Sequence, residues 1–600
     1  MQDPLFEARA RHWLAEHGFD HPKRLPASAG DPLEVARVAL TEQIRAGRTV
    51  TEWVAFGKAE NLLSLRPDAP RAPADLAAEV ERLNAAAGFP LDAAQRADVR
   101  AQAEALPADV REPFAALVAA TADAYEAQAP IAAGVVARVP ASARSLEYVL
   151  TNAEREATLA NAVALLAAQN AFRDAVRDVA FPASGGPLFR DPNGLVILGS
   201  TGADTYARDG VLRDAALLVD PAGDDVHATA AGGACADPAS LVHDCNGLVV
   251  SLVVDLRGND EYLYDGVPTN AQGSASLGAI GLLVDVEGDD RYLSNFVQAT
   301  TRRPFWGGVI GYIDAGVQGY ALAGVGILLD AVGDDTYEAD VTTTRYSIWD
   351  FAQGFGNAGG VGIAADGLGN DRWLAYGFHS HMPNSGFQGM YPGGTGFFGG
   401  LGLLTDTGLG NDRYHAWDNA TTTDFYAYGF GAFGGTGIFY EDGGDDDYQA
   451  VEEAFSPNPG IVPLLNCAFG TASFAGLGVF LELGGNDRYF GDTRSARAVA
   501  TMNEGFGGPA EGEGIFIDVS GDDGHFMEGH VNGQLRYDMT HGRGNLFGGG
   551  EGFLGGNTVG VYLDLGGLDA YTGAAPSQNN AAWLMGLDLE AGRIPRFLMP

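Results

Sequence analysis

Short segments in which alternate residues are apolar recur through the C-terminal two thirds of the chain. In GILLDAVGDDTY (326–337), Ile327 and Leu329 are separated by one residue, and the segment ends at Asp330. A period of two predicts a β-strand, and the residues one and three positions before the acid are expected to line an interior. Leu328 is apolar as well, so we expect the opposite face of the strand to be partly covered.

This segment belongs to a unit that occurs eleven times. Close variants are SLVVDLRGNDEY (251–262), GLLVDVEGDDRY (281–292), GIAADGLGNDRW (362–373), GLLTDTGLGNDRY (402–414), GVFLELGGNDRY (478–489), GIFIDVSGDDGHF (514–526) and GVYLDLGGLDAY (560–571). The last Asp of successive units is Asp204, Asp225, Asp260, Asp290, Asp335, Asp371, Asp412, Asp446, Asp487, Asp523 and Asp569, with spacings of 21 to 46 residues. Repeats of this length indicate stacked units that bury a shared core.

A parallel β-helix, or solenoid, of about eleven coils is the fold that these units predict. We expect a right-handed coil, although the sequence does not determine its handedness. A β-propeller is the competing architecture, but a propeller blade needs four strands. The units share a core of about twenty residues, as in AQGFGNAGGVGIAADGLGNDRW (352–373), which holds only two or three strands. The shortest units, of 21 and 30 residues, also suit a coil better.

The chain is expected to be mainly β with an α-helical N-terminal part. Residues 1–185 are rich in Ala, Leu, Glu and Arg, and 146–179 has apolar residues at helical spacing. Prolines are expected to separate the helices. We therefore predict a helical capping domain over residues 1–185, placed over the N-terminal end of the solenoid. The solenoid itself, with variable loops, is predicted over 186–572, and a C-terminal cap over 573–600.

Composition narrows the functions that this chain can have. Six of the 85 glycines precede residue 181, which supports two different parts. The net charge of −42 excludes nucleic acid as a natural partner, because phosphate binding needs clustered Lys and Arg. No run approaches the roughly 18 apolar residues of a membrane span, so no transmembrane segment is expected.

Cysteine use favours an extracytoplasmic location. Cys235 and Cys245 bracket a short excursion that a disulfide could close, which favours an oxidising compartment, and Cys467 is left single. The first residues lack an apolar signal core. Either the protein is not exported by that route or a signal has been removed.

Ten of the eleven turns carry two regularly placed acids and the first turn carries only the last Asp, and these acids are the candidate metal ligands. The first acid ends the strand and the last Asp precedes the next strand, with Asp or Asn between them in most units. The candidates are Asp225, Asp255, Asp260, Asp285, Asp290, Asp330, Asp335, Asp366, Asp371, Asp406, Asp412, Glu441, Asp446, Glu482, Asp487, Asp518, Asp523, Asp564 and Asp569. Equivalent acids on stacked strands lie about 4.8 Å apart. They would repel by roughly 3.5 kcal/mol at an effective dielectric constant of 20.

Calcium is the cofactor that such rows of acids predict. Hard cations bind oxygen ligands, and Ca²⁺ tolerates irregular geometry better than Mg²⁺. The repeated GNDxY and GDDxY turns resemble the calcium-binding repeats of RTX-type β-rolls, although only one half-motif is present per coil. The resemblance covers the turns alone. It implies calcium held between successive turns and a secreted protein.

Two explanations of the turns that need no metal stay open. Asp and Asn are ordinary turn formers, and Arg291, Arg372, Arg413 and Arg488 each follow a last Asp and could neutralise it. A Lys-poor, acid-rich surface could also reflect adaptation to high salt.

The stretches between coils are rich in aromatic residues and are expected to lie along one side of the rod. They predict a surface for a glycan or a protein partner, so the leading hypothesis is a calcium-stabilised scaffold or adhesion protein. A β-helix polysaccharide lyase or glycoside hydrolase is the enzymatic alternative, with Arg302, Arg303, His379 and His381 as catalytic candidates. A third hypothesis is a filament or coat subunit, a homo-oligomer that stacks end to end.

Overall fold

Parallel strands wind into a solenoid with helices along one side. The structure is a computed structural model, and it describes residues 32–69, 75–138, 150–207, 214–236, 246–266, 270–296, 302–305, 308–311, 314–343, 349–379, 389–391, 393–418, 424–452, 466–473, 475–493, 504–507, 512–531, 534–535, 557–571 and 582–588.

One coil shows how the sequence becomes structure. The short strand Ala321–Leu322 leads into Val325–Leu329, which ends at Asp330. The acidic turn follows, and Thr336–Thr343 then runs along the next side. Trp349–Phe351 belongs to a fourth, shorter sheet before the next coil begins. Equivalent strands of neighbouring coils pair in parallel without a register shift, for example Leu283 with Leu328.

The two long sheets flank the acidic turns. The first sheet contains Phe189–Arg190, Val196–Leu198, Leu217–Asp220, Val250–Asp255, Ile280–Val284, Val325–Leu329, Val361–Ala365, Leu401–Asp406, Thr436–Glu441, Leu477–Glu482, Glu513–Asp518, Asn557–Asp564 and Ala582–Asp588. The second sheet contains Thr205–Ala207, Val226–Ala228, Glu261–Gly266, Arg291–Phe296, Thr336–Thr343, Arg372–His379, Arg413–Asp418, Asp447–Glu452, Arg488–Thr493, Gly524–Val531, Gln534–Leu535 and Ala570–Tyr571. Eleven parallel first-sheet strands confirm the predicted solenoid.

Two shorter sheets and a hairpin complete the described strands. The third sheet contains Ala234–Cys235, Ala275–Ser276, Ala321–Leu322, Gly356–Asn357, Gly396–Phe397, Gly431–Ala432 and Ala472–Ser473. The fourth contains Asp314–Gly316, Trp349–Phe351, Gly389–Tyr391, Asp424–Tyr426 and Asn466–Cys467. Arg302–Phe305 pairs antiparallel with Gly308–Gly311.

Antiparallel strands cover both ends of the first sheet. Phe189–Arg190 pairs antiparallel with Val196–Leu198 at one end, and Ala582–Asp588 pairs antiparallel with Asn557–Asp564 at the other. The parallel stack therefore does not end in an open parallel edge on this sheet.

The side of the strand that faces the interior is opposite to the one expected. Leu328, two residues before the acid, packs with the buried rings of the second sheet, among them Tyr292 and Tyr337. Ile327 and Leu329 belong instead to a core shared with the helices. The prediction that the positions one and three residues before the acid line the solenoid interior was wrong. Both faces of the strand are buried, because the helices cover the outer one.

Seven helices are described in the N-terminal part. They are Pro32–Thr41, Val50–Gly57, Ala59–Leu62, Leu76–Ala86, Ala93–Ala105, Ala108–Arg138 and Asn152–Val176. Capping boxes begin three of them, with Thr49, Asp92 and Thr151 as the N-cap residues. Pro113 and Pro130 lie inside one helix and do not separate two. None of the described helices is long and apolar enough to cross a bilayer.

The described helices pack along the outer face of the first sheet. Pro32–Thr41 contacts Asn557–Asp564, the last parallel strand of the sheet, whereas Ala108–Arg138 contacts Val250–Asp255 near its beginning. Lys58 reaches Asp442 at 2.8 Å. We expected the helices over the N-terminal end of the rod, and these contacts instead run along its length.

Candidate metal centre

The two acids of each turn are buried where the first sheet meets the second. The first acid is 2 % exposed or less in every coil that has one: Asp220, Asp255, Asp285, Asp330, Asp366, Asp406, Glu441, Glu482, Asp518 and Asp564. The last Asp is 3 % exposed or less from Asp225 to Asp523, whereas Asp204 and Asp569 at the two ends are partly exposed. Each inner coil therefore adds two carboxyl groups to one buried row.

The last Asp is held by the backbone of the preceding coil. The N–H of Asp290 donates to Oδ1 of Asp335 at 2.6 Å, and the N–H of Asp335 donates to Oδ1 of Asp371 at 2.7 Å. The same bond joins every successive pair of last Asp residues from Asp204 to Asp569. One carboxylate oxygen of each is thus used to fix the position of the side chain.

The middle residue of the turn is exposed, and its side chain accepts a hydrogen bond from the backbone of the following coil. This direction is opposite to that of the bond to the last Asp. The N–H of Asp334 donates to Oδ1 of Asp289 in the preceding coil, and the N–H of Asn370 donates to Oδ1 of Asp334. Only one side-chain oxygen is needed for this bond, which explains why Asn259, Asn370, Asn411 and Asn486 alternate with Asp at this position.

The last position of the turn differs from the middle position in its need for a second side-chain oxygen. Oδ2 is buried without a hydrogen-bond partner in Asp225, Asp260, Asp290, Asp335, Asp371, Asp487 and Asp523. An Asn would make the same backbone bond through Oδ1, yet all eleven units have Asp. Asn would place an N–H₂ donor where Oδ2 lies. The site therefore requires a second oxygen, which suits a cation or a shared proton.

The first acid of a coil can accept a hydrogen bond from a tyrosine hydroxyl group of the preceding coil. Tyr292 donates to Oδ2 of Asp330 at 2.7 Å, and Tyr262 donates to Oδ2 of Asp285 at 2.6 Å. Asp285 Oδ1 has no partner among the described residues. Tyr262 and Tyr292 therefore each orient one carboxylate oxygen, and the other oxygen of the same carboxylate has no hydrogen-bond partner among the described residues.

The donor rings form a column along the second sheet, which we did not predict from the sequence. They are Tyr206, His227, Tyr262, Tyr292, Tyr337, Trp373, Tyr414, Tyr448, Tyr489, His525 and Tyr571. Tyr262 and Tyr292 stack with centroids 4.7 Å apart, as do Tyr292 and Tyr337. The signal was present in the sequence, because an aromatic ring stands two residues after the last Asp in all eleven units.

The acids of adjacent coils come together in groups of three. Asp290, Asp330 and Asp335 form one such group, with one oxygen from each within 4.8 Å of the others. Nine groups of this kind occur among the described residues, and the first adds Asp204 and Asp220 to the predicted ligands. Oxygens that share one Ca²⁺ ion lie at most about 4.6–5.2 Å apart, twice the usual bond length, so each group could hold one divalent cation.

Charge balance limits the valence of an ion that could bind here. Asp225, Asp260, Asp290 and Asp335 are each shared by two groups, as Asp335 is shared by the group above and by the one with Asp366 and Asp371. Two carboxylates are thus added per coil, and one divalent cation per coil would neutralise them. A monovalent ion would leave one buried charge per coil uncompensated.

Burial and mutual repulsion disfavour the ionised acids when no cation is bound. Burial raises the pKa of Asp290 to about 9 and that of Asp335 to about 11, and the charge of Asp330 adds to both. Burial together with the charge of Asp406 raises the pKa of Asp371 to about 10. These groups hold protons at neutral pH unless a cation replaces them.

The arginines that follow the turns do not neutralise the buried acids. Arg291 pairs with Glu261 at 3.2 Å, and Arg488 pairs with Asp447 at 2.7 Å, both on the outer surface of the second sheet. In the described part of the chain, neither Arg372 nor Arg413 forms an ion pair with a buried acid. Neutralisation by arginine is therefore not how this row is stabilised.

At the C-terminal end, a histidine supplies positive charge from within the chain. His525 lies in the ring column, and its Nδ1 is 3.0 Å from Glu504 and its Nε2 is 3.8 Å from Asp564. Burial opposes its charge, but Glu504 and Asp518 raise the pKa of His525 to about 9. The imidazole thus lies beside Asp564, the last first-position acid of the row.

Close stacking of the turns depends on glycine. A Cβ on Gly333 would lie 1.7 Å from the carbonyl oxygen of Gly288 in the preceding coil, and one on Gly369 would lie 1.7 Å from that of Gly333. Neither contact can be relieved by a side-chain rotation, because the obstructing atom is backbone. The glycine therefore sets the coil spacing that brings the acids together.

The catalytic candidates are not brought together among the described residues. Arg302 and Arg303 lie in the antiparallel hairpin, whereas His379 ends a strand of the second sheet. His381 lies outside the described residues, and the side chains of the other three are not described. Their role stays a prediction.

The predicted disulfide is in part outside the described residues. Cys235 is disulfide-bonded, whereas Cys245 is not among the residues described.

Comparison with known proteins gives no relative from which a function can be transferred. No family model, curated protein or solved structure matches the chain.

Proposed function

We propose that the chain is a β-solenoid scaffold stabilised by a row of divalent cations, Ca²⁺ being the ion that fits best. The observation that carries the proposal is the second oxygen of the last Asp, which is buried and unpartnered in seven coils, while all eleven units keep Asp at this position. Six to eight oxygen ligands at 2.3–2.6 Å are typical of Ca²⁺. Three carboxylates per group supply part of that set.

The competing explanation is a row of protonated carboxyl groups, with each proton shared between two acids. It accounts for the burial and for the raised pKa values. It gives no reason for stability to depend on a divalent cation, and on that point the two explanations differ.

Thermal unfolding with and without calcium tests the proposal. Binding at a hundredfold excess over Kd stabilises by about 2.7 kcal/mol per site, so several sites together should raise the melting temperature at pH 7.5 by roughly 10 °C or more. Chelation with EDTA should reverse the increase, and added Mg²⁺ should restore less of it. A melting temperature that is the same in calcium and in EDTA would contradict the proposal.

We also propose that the protein works outside the cytoplasm. The resemblance of the turns to RTX repeats supports this location, as does the disulfide at Cys235, because disulfides persist in oxidising compartments. Millimolar calcium outside cells would keep weak sites occupied. Labelling of free thiols in the unfolded protein tests the disulfide, since Cys235 is buried in the native state and should stay unlabelled after unfolding until a reductant is added.

The scaffold is proposed to act as an adhesion or binding protein and not as a filament. Antiparallel strands at both ends of the first sheet argue against end-to-end stacking of solenoids. Analytical ultracentrifugation in calcium tests this, because a filament subunit would sediment as a series of growing oligomers. The lyase or hydrolase alternative has no supporting contact among the described residues.

A further inference from the structure

The outer face of the second sheet has an open region that the cation sites do not explain. Its strands Arg372–His379 and Arg413–Asp418 pair in parallel, with Arg372 beside Arg413 and Tyr376 beside Trp417. The outer face of the first sheet is covered by helices, whereas both arginines here are exposed and Trp417 is 40 % exposed.

The two arginines are neighbours of like charge, and within the described part of the chain neither is paired with an acid. The other two arginines of this column are paired, Arg291 with Glu261 and Arg488 with Asp447. Asp447 lies next to Arg413 in the register, but its carboxylate contacts Arg488 and His415. Arg372 and Arg413 are thus available to bind an anion from solution.

An aromatic pair stands on the same face. The rings of Tyr376 and Trp417 meet edge to face, with centroids 6.1 Å apart. Trp417 is four residues along the strand from Arg413, about 13 Å at the rise of a β-strand, and an even separation places both on one face. This distance is suited to a chain of a few sugar rings, because one ring can stack on Trp417 while another meets the guanidinium groups.

We propose that this surface, Arg372, Arg413, Tyr376 and Trp417, is a binding site for an acidic oligosaccharide that carries uronate carboxylates. Guanidinium groups bind carboxylates through paired hydrogen bonds. Indole stacks on the apolar face of a pyranose ring. A neutral glycan would leave both arginines without a partner. This site gives the proposed scaffold its ligand class, and it rests on that proposal only in requiring a folded solenoid.

Cation binding would assist this site electrostatically. Nine divalent ions, one for each acid group, would reduce the net charge from −42 to −24. The repulsion of a polyanionic glycan would fall accordingly, and what remains is screened over about 8 Å at physiological salt.

Calorimetric titration of the calcium-loaded protein with short oligogalacturonates tests the proposal. The matched control ligand is the same oligomer with its carboxylates methyl-esterified. Arg413→Ala and Trp417→Ala should each weaken binding by about tenfold or more, and Arg291→Ala, in the same column but paired with Glu261, should leave it unchanged. Methyl esterification of the ligand should abolish measurable binding.

Several results would overturn the proposal. The first is that the wild-type protein does not bind oligogalacturonate. The second is that it binds the methyl ester as tightly as the free acid. The third is that Arg291→Ala weakens binding as much as Arg413→Ala does. Melting temperature and metal content are measured on the same samples, so that misfolding of a variant is recognised. Glycan binding by a protein that holds no metal would contradict the cation proposal but would still support the acidic oligosaccharide site.

Discussion

The backbone N–H of Asp290 donates a 2.6 Å hydrogen bond to Oδ1 of Asp335, while Oδ2 of Asp335 is buried without a partner. One side chain thus joins two coils and also presents an unsatisfied oxygen to the row of acids. An unsatisfied buried carboxylate oxygen is costly, and its repetition in successive coils is explained by a bound cation or by a shared proton.

Replacement of Asp335 by Asn separates these two roles. Asp335→Asn keeps the oxygen that bonds Asp290 but removes a ligand from two groups, so in calcium it should lower the free energy of unfolding by about 3–5 kcal/mol. In EDTA at pH 8 Asp335 holds a proton, because its pKa is raised to about 11, so the same change replaces one neutral side chain by another and should be nearly neutral. Denaturant unfolding under both conditions measures the difference.

The matched control is the adjacent Asp334→Asn. Asp334 is exposed, and Asn occupies its position in four other coils. This variant should unfold within about 0.5 kcal/mol of the wild type under either condition. If Asp335→Asn and Asp334→Asn behaved alike in calcium, the ligand role assigned to the last Asp would be wrong.

Stability of the metal-free protein should fall as pH rises. The folded-state pKa is raised to about 6 for Asp523, about 7 for Asp260 and about 9 for Asp290, chiefly by burial. A raised folded pKa contributes stability below the unfolded value of about 4, and that contribution is lost as pH passes through the folded value. In EDTA the melting temperature should therefore decrease from pH 5 to pH 9.

Calcium should reverse this pH trend. A cation displaces the protons, so the difference in melting temperature between calcium and EDTA should grow from pH 5 to pH 9. A difference that stays constant over this range would mean that the ion does not bind at the buried acids.

Removal of the hydroxyl group from Tyr292 tests the link between the ring column and the acids. Tyr292→Phe deletes the donor to Asp330, and loss of a hydrogen bond to a charged group costs about 1.5–3 kcal/mol. Tyr428→Phe is the control, because the buried Tyr428 hydroxyl has no hydrogen-bond partner among the described residues. Denaturant unfolding should show a lower free energy of unfolding only for Tyr292→Phe. An equal decrease in both variants would mean that the ring column does not stabilise the acids.

A methyl group at the turn glycine should prevent the coils from stacking. Gly333→Ala places a Cβ 1.7 Å from the carbonyl oxygen of Gly288, so we expect a loss above about 4 kcal/mol or failure to fold. A Cβ on Gly186 meets nothing within 4 Å, so Gly186→Ala should change stability by less than about 0.5 kcal/mol. Circular dichroism melting measures both, and a stable Gly333→Ala protein would contradict the close approach.

Much of the fold could be predicted from the sequence because the repeat is regular. The turn from Asp330 to Tyr337 marks each coil, and counting its variants gave eleven coils, as the first sheet has. The inward face could not be predicted. Leu328 and its neighbours are all apolar, because helices cover one side of the sheet and rings the other. Alternation fails where both faces of a strand are buried.

The position of the helices depends on long-range packing that no local pattern encodes. Lys58, for example, pairs with Asp442, which lies far along the chain. The role of each acid was also only partly predictable. The sequence shows that Asp334 belongs to a position that varies and Asp335 to one that does not. The opposite directions of their hydrogen bonds are visible only in the structure.

The number of divalent metal ions bound per folded chain tests the central claim most directly. Protein purified in calcium, desalted into metal-free buffer and analysed by inductively coupled plasma mass spectrometry should contain about nine calcium ions per chain, one for each acid group. Asp335→Asn should contain about two fewer, since Asp335 belongs to two groups. A wild-type protein that is folded and contains no divalent metal would contradict the account, because its buried acids would then be neutralised by protons.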